Sequence, residues 1–363
     1  MSTTSPGRRR DSCHFGTYTK PVPETFSFSR SKTPNTISQS QNRHKRPRTQ
    51  TMTCSKAFNP DHDIPNLGGK VILVTGGNNG LGLETVRQLA RHGPAHIFLA
   101  SRSLAKAEEA IKDVHSSSPE AAGTPISALQ LDLASFASIK AAARAFTAAS
   151  DRLDILINNA GIMCTPEGLT QDGYEVQFGT NHMGHALLTQ LLLPTLKQTA
   201  AAAPGSDVRV VFLSSALESG APVGTYKTDE LKTTMAATST MDRYSISKLA
   251  NVHYTSALAA GNPDLRVASV HPGVIWTGLQ GPMINGSGPL LKGVMNLASN
   301  FLTTVEKGVR NSLWAATAAE VESGAYYRPV GVGGKGSKLS RDAKQRDVLW
   351  EWTQKELQPH LSG

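Results

Sequence analysis

Short apolar runs separated by helix-compatible stretches constrain this chain more than any other feature. Val71–Val74, Ile97–Ala100, Ile126–Leu131, Leu153–Ile157, Val208–Leu213 and Leu265–Val270 each hold four to six residues with little polar alternation. Such a run fits a strand covered on both faces, whereas a strand wetted on one side alternates. The stretches between them read as helices: one to about His92, one to His115, Ala134 to Ala149, about 173–199, and one that carries Tyr244. Strands separated by helices pair in parallel, and right-handed crossovers send those helices to both faces. The expectation is an α/β fold with a doubly wound parallel sheet, in a single domain spanning 52–363. Neither an internal repeat nor a second core is legible in the sequence.

Charge is unevenly spread. The 363 residues carry a formal +9, but residues 1–51 hold ten Lys/Arg against two Asp/Glu and the remainder 27 against 26. The body is nearly neutral, which argues against nucleic acid as a partner. Residues 1–51 are rich in Ser, Thr, Pro and Arg with few large aliphatics, too little apolar surface to offset ordering entropy. They are expected to form a disordered basic extension. An organelle transit peptide, a nuclear address in Arg43-His44-Lys45-Arg46-Pro47-Arg48, and an upstream extension ahead of a start at Met52 remain open, the last being favoured. Cys13, Cys54 and Cys164 show no C-x-x-C spacing. That fits a reducing compartment and neither a disulfide framework nor a zinc site. No run approaches the ~20 apolar residues of a membrane span; the nearest, Ala186–Leu196, contains Pro194. Cytoplasmic residence is expected, with organelle targeting by residues 1–51 left open.

The first apolar run ends in Thr75-Gly76-Gly77-Asn78-Asn79-Gly80-Leu81-Gly82, a T-G-x-x-x-G-x-G turn. Glycines permit a tight turn and a close backbone approach to a pyrophosphate, and the helix that follows offers unpaired N–H groups and its positive dipole end. Gly76, Asn79, Gly80, Leu81 and Gly82 are therefore candidate nucleotide contacts. The second run ends in Ser101-Arg102, where an NAD site would place an acid. The next acid after Glu84 is Glu108, inside a helix. The planar fork of Arg102 suits a ribose 2′-phosphate, with Lys106 one helical turn on, so NADP(H) is the expected cofactor.

Tyr244 and Lys248 stand at i and i+4 of a predicted helix, which brings a phenol and an ammonium to one face. The charge is expected to pull the phenol pKa down from about 10 and suit it to exchange a proton with an alcohol or ketone. His182 and His185 have no evident third ligand, and no metal is expected. Four landmarks now stand in order: the Gly-rich turn, Asn158-Asn159-Ala160-Gly161, the Ser214-Ser215 pair, and Tyr-x-x-x-Lys. Together they resemble the short-chain dehydrogenase/reductase family over about residues 66–330. The phrase Tyr244-Ser245-Ile246-Ser247-Lys248-Leu249-Ala250-Asn251, with Asn181-His182-Met183-Gly184-His185 and His271-Pro272-Gly273, is most similar to the retinol-dehydrogenase-like branch. Related enzymes of small-molecule biosynthesis share these phrases.

The resemblance implies a Rossmann fold and residue roles. Tyr244 would be the general acid/base. Lys248 would lower its pKa and hold the nicotinamide ribose. Ser215, rather than Ser214, would bond the substrate oxygen. Asn181 would anchor a water of the proton relay. Asp132 would meet the adenine amino group, Asn159 would steady the central strands and face the cofactor, and Ile275 and Thr277 would hold the carboxamide. The implied activity is hydride transfer between a small-molecule alcohol and its ketone or aldehyde. Family members are often dimers or tetramers, so a homo-oligomer is open. The apolar stretch from Thr277 to Asn300, with Lys292 as its only ionisable side chain, is read either as a lid favouring a lipophilic substrate or as packing. The residues near Trp350 and Trp352 are expected to form a docked terminal helix. A non-catalytic dinucleotide sensor on this fold would dispense with Tyr, Lys or Ser, and a sugar-nucleotide epimerase or dehydratase usually has a different glycine spacing.

Overall fold

All six apolar runs form strands. The computed structural model describes residues 58–203, 205–273 and 304–361, which fall within one compact unit, Cys54–Gly363. The expectations for residues 1–51, for Ile275 and Thr277, and for the Thr277–Asn300 stretch lie outside the described residues. The strands are β1 (Val71–Thr75), β2 (His96–Ser101), β3 (Ile126–Gln130), β4 (Ile155–Asn158), β5 (Arg209–Leu213), β6 (Arg266–Val270) and β7 (Tyr326–Tyr327). They lie in the order β3-β2-β1-β4-β5-β6-β7, and each pairing is parallel. The last strand was not expected, because two tyrosines make no apolar run.

Burial on both faces explains the lack of alternation. All five residues of β1 are buried. Val71 and Leu73 join a core with Phe136, Phe146, Leu187 and Leu249, while Ile72 and Val74 join a second core with Val86, Leu89, Val114 and Leu313. Each large aliphatic buried in this way contributes about 1.5–3 kcal/mol. The helices that cover the faces include α2 (Gly80–Ala90), α3 (Leu104–Ser117), α5 (Phe136–Ala149), α7 (Gly184–Ala201) and α8 (Thr240–Gly261), with short turns α1 (Pro60–Asp63), α4 (Pro119–Ala122) and α6 (Val176–Phe178). Ser103, Ser135 and Ser239 cap α3, α5 and α8 by accepting the amides of Lys106, Ser138 and Asp242, each cap contributing about 1 kcal/mol. A C-terminal helix, Ala343–Leu361, docks Leu349 and Leu357 into the first core.

One expected helix is different. The stretch read as helix over about 173–199 begins at Val176, and a π-helical turn, Gly179–Met183, interrupts it ahead of α7. Close packing accompanies the irregularity: a Cβ on Gly179 would drive into the Thr170 side chain, and one on Gly184 into the Leu133 carbonyl. Asn181 sits in the middle of this turn. From β1 the chain winds out to β2 and β3, then returns to β4 on the other side. The crevice beyond the carboxyl ends of β1 and β4 is therefore the switch point of the sheet, where this architecture places its ligands. No described helix is long and apolar enough to cross a membrane.

Candidate active site

The turn after β1 is built so that only glycine fits at its tightest points. Gly76 has φ +65°, and a Cβ there would lie 3.0 Å from the Cβ of Ala160. A Cβ on Gly82 would enter the Gly76 carbonyl oxygen and come 2.5 Å from Asn159 Nδ2. Gly76 and Gly77 donate their amides to the Ala100 carbonyl of β2, at 2.8 and 3.2 Å. Asn79 precedes α2 without a side-chain cap, so the first amides of that helix are left for other acceptors. Gly80, Leu81 and Gly82, the candidate nucleotide contacts, form its first turn.

Asn159 joins this turn to β4. Its Nδ2 donates to the Thr75 carbonyl at 2.7 Å, and its amide donates to Thr75 Oγ1 at 2.9 Å. Ala160 N donates to the same oxygen at 3.0 Å. Having accepted twice, the Thr75 hydroxyl gives its proton to His185 Nε2 at 2.9 Å, and His185 Nδ1 then bonds the Asn181 carbonyl at 3.0 Å. This network assigns the Nδ1–H tautomer. Burial holds the His185 imidazole neutral, its pKa pushed down to about 4. His182 bonds Thr353 Oγ1 at 3.2 Å. Among the described residues no three His, Cys, Asp or Glu side chains are grouped to hold a metal.

The other cofactor candidates lie along the same sheet edge. Arg102 is exposed just past β2, and Lys106 is exposed in the first turn of α3. Asp132 follows β3, where its Oδ1 accepts the Ala134 amide at 3.0 Å and its own amide bonds Ser138 Oγ at 2.9 Å.

The proton-handling candidates converge at the ends of β4 and β5. Tyr244 and Lys248 are both buried on α8, and Lys248 Nζ lies 5.6 Å from the Tyr244 ring centroid. Nζ also donates to the Leu213 carbonyl at 3.0 Å. The Ser215 side chain lies next to the Tyr244 phenol and favours its ionised form, whereas Ser214 Oγ donates to the Lys248 carbonyl at 2.7 Å. The Asn181 side chain clamps Ile162 through both backbone groups, at 2.8 and 2.9 Å, and donates to Ser247 Oγ at 3.0 Å. Gly161 lies between these elements: a Cβ there would sit 3.2 Å from Asn181 Oδ1 and 3.3 Å from Lys248 Nζ.

Electrostatics at this point correct an expectation. The Tyr244 phenol does not fall below its ordinary value; burial pushes it up to about 12, against the lowering effect of the Ser215 side chain. Lys248 moves the opposite way, pulled down to about 8 by burial. Spacing alone could not reveal that both groups lose their water, and desolvation dominates both shifts.

Several neighbours escaped the sequence reading. Cys164, at φ +53°, lines an open cleft of about 640 Å³ with Thr165, Thr240 and Arg243. Its thiol is raised by burial and faces Tyr244. Arg243, next to Tyr244, forms a buried ion pair with Glu175 at 2.7 Å and donates to the Thr165 carbonyl at 3.2 Å. Gln177 accepts from the Cys164 amide at 2.9 Å and donates to the Thr240 carbonyl at 2.9 Å. No motif marks these residues. An Arg directly before a candidate acid/base was the one available hint.

Comparison with known proteins agrees with this fold. The family model for short chain dehydrogenase matches residues 70–226. An uncharacterized oxidoreductase of Schizosaccharomyces pombe is 38% identical over 300 residues, covering 81% of this chain and 86% of the relative. Retinol dehydrogenase 14 of Homo sapiens is 38% identical over 275 residues, covering 71% of this chain and 78% of the relative. Among solved structures, an uncharacterized protein from Mycobacterium paratuberculosis superposes with a TM-score of 0.63 at 29% identity, covering 83% of this chain and 97% of that one.

Proposed function

Because the chain belongs to the short-chain dehydrogenase/reductase family of oxidoreductases, we propose that it interconverts a small-molecule alcohol and its ketone or aldehyde with NADP(H), Tyr244 acting as the general acid/base. The observation that carries this reading is the convergence of Ser215, Tyr244 and Lys248 beside the glycine cradle at the switch point. The turn suits a dinucleotide: Gly82 lets it close tightly on Gly76 and Asn159, and Asn79 leaves the first amides of α2 without a side-chain cap. Gly76, Asn79, Gly80, Leu81 and Gly82 would hold the pyrophosphate, Asp132 the adenine, Asn159 and Lys248 the nicotinamide side, with Ile275 and Thr277 assigned to the carboxamide by resemblance alone. Arg102, exposed at the end of β2 with Lys106 close behind, supports a 2′-phosphate and hence NADP(H). When bound, the nucleotide supplies or accepts the hydride.

The protein's own task is then proton management. A phenol raised to about 12 keeps its proton near neutral pH, so Tyr244 is a ready donor to a carbonyl oxygen as that oxygen gains charge. Ser215 would donate a second hydrogen bond to the same oxygen and stabilise it. In the oxidative direction the phenol must first lose its proton, and a nearby Lys248 cation lowers that cost. Asn181 is spent on Ile162 and Ser247 through its side chain; its role in a water relay is assigned by resemblance. The cleft lined by Cys164 and Arg243, the residue before Tyr244, is the proposed approach for a substrate.

Purified protein should consume NADPH faster than NADH against some member of a panel of ketones and aldehydes, followed by absorbance loss. Arg102→Asp should move that preference toward NADH. An unchanged preference would remove Arg102 from cofactor choice, and no turnover across the panel with either nucleotide would count against the activity.

A further inference from the structure

We infer that Tyr326, on the short last strand, is a positioning residue of the reaction centre: it holds the Ser215 backbone so that the Ser215 hydroxyl meets Tyr244. The inference rests on the activity proposed above. Tyr326 Oη donates to the Ser215 carbonyl at 3.0 Å across 111 residues of chain. Its ring is buried, and β7 fixes it in register with Ser269 of β6. Ser215 has few other anchors. Its Oγ accepts the Leu217 amide at 3.2 Å and its carbonyl accepts the Glu218 amide at 3.1 Å, both contacts within its own turn. The bond from Tyr326 is therefore the tether that ties this turn to the far edge of the sheet.

A second observation points the same way. The titratable and charged groups near the Tyr326 phenol are Glu218, Arg328 and Tyr244. Tyr326 thus holds the backbone of the residue whose side chain lies next to Tyr244. Glu218 is fully buried and spends its carboxylate on Ser337, accepting the amide at 3.0 Å and the hydroxyl at 2.5 Å. This second link pins the residues just after Ser215 to the segment after β7. The turn is held from both ends by the C-terminal part of the chain. Ser215, Cys164 and Lys248 in turn face Tyr244.

Tyr326→Phe keeps the ring and removes the donor. With tyrosine isotopically labelled at Cζ, the Tyr244 resonance, identified by its loss in Tyr244→Phe, should shift in Tyr326→Phe, while that of the remote Tyr174 stays. Turnover should fall about tenfold or more, with the nucleotide Kd within about twofold and the midpoint of thermal unfolding little changed. The acidic group seen in the pH profile of kcat should move to higher pH as the Ser215 side chain withdraws from Tyr244. Loss of stability with an unmoved Tyr244 resonance would overturn the inference, as would unaltered kcat in an active wild type. Should the wild type reduce no carbonyl at all, the activity is wrong, and the Tyr244 resonance still decides whether Tyr326 positions Ser215.

Discussion

At the residue scale, the proposed chemistry depends on two titratable groups that burial moves in opposite directions, Tyr244 to about 12 and Lys248 to about 8. The consequence is sharp for a variant that deletes one hydroxyl. Tyr244→Phe should lower turnover by about 10²–10⁴-fold, the usual contribution of a positioned acid/base, and leave nucleotide affinity within about twofold in a fluorescence titration. Retained turnover would take Tyr244 out of the mechanism. The pair itself was legible because helical spacing alone brings i and i+4 together. The direction of the phenol shift was not, because desolvation comes from helices and strands distant in sequence. The choice of Ser215 over Ser214 rested on resemblance, and the structure gives it a local reason: Ser214 Oγ is engaged by the Lys248 carbonyl.

At the scale of elements, the turn from β1 into α2 was readable from its glycines, yet the partner that makes them necessary was only partly so. The Gly76 carbonyl crowds Gly82 from within its own turn, and Asn159 crowds it from just past β4, 84 residues beyond Thr75. Gly82→Ala should therefore weaken nucleotide binding at least about tenfold and cost about 1–3 kcal/mol of stability, the range for an overpacked site. Gly123→Ala, where a Cβ meets nothing within 4 Å, is the control and should change neither measurement. If both alanines behave alike, the crowding has no functional weight. The π-helical turn at Asn181 had no signature, since its sequence reads as ordinary helix. Strand β7 was equally silent: two residues cannot establish a period, and only pairing with β6 reveals them.

For the whole molecule, the number of neutral imidazoles locked in the interior sets a pH limit. His182, His185 and His271 are pushed down to about 3, 4 and 4, each chiefly by burial. Unfolded histidines protonate near 6.5, so below that value the unfolded chain takes up protons that the folded one refuses. Their contribution is complete above about 6.5 and is lost as pH falls toward 4. The midpoint of thermal unfolding should fall steadily between pH 6.5 and 5, above the window in which the carboxylates with lowered values, such as Asp154, titrate. His185→Gln should flatten that slope; an unchanged slope would place the acid sensitivity elsewhere. The overall architecture was legible because it repeats one local pattern, while these enclosed rings were visible only once the layers closed over them. The tether from Tyr326 to Ser215 has one more consequence, for biosynthesis. Chains emerge from the ribosome N-terminus first, so the glycine cradle acquires its Asn159 brace well before Ser215 acquires its own. A nascent or prematurely terminated product lacking β7 would own the glycine-lined turn and an unbraced Ser215 beside Tyr244.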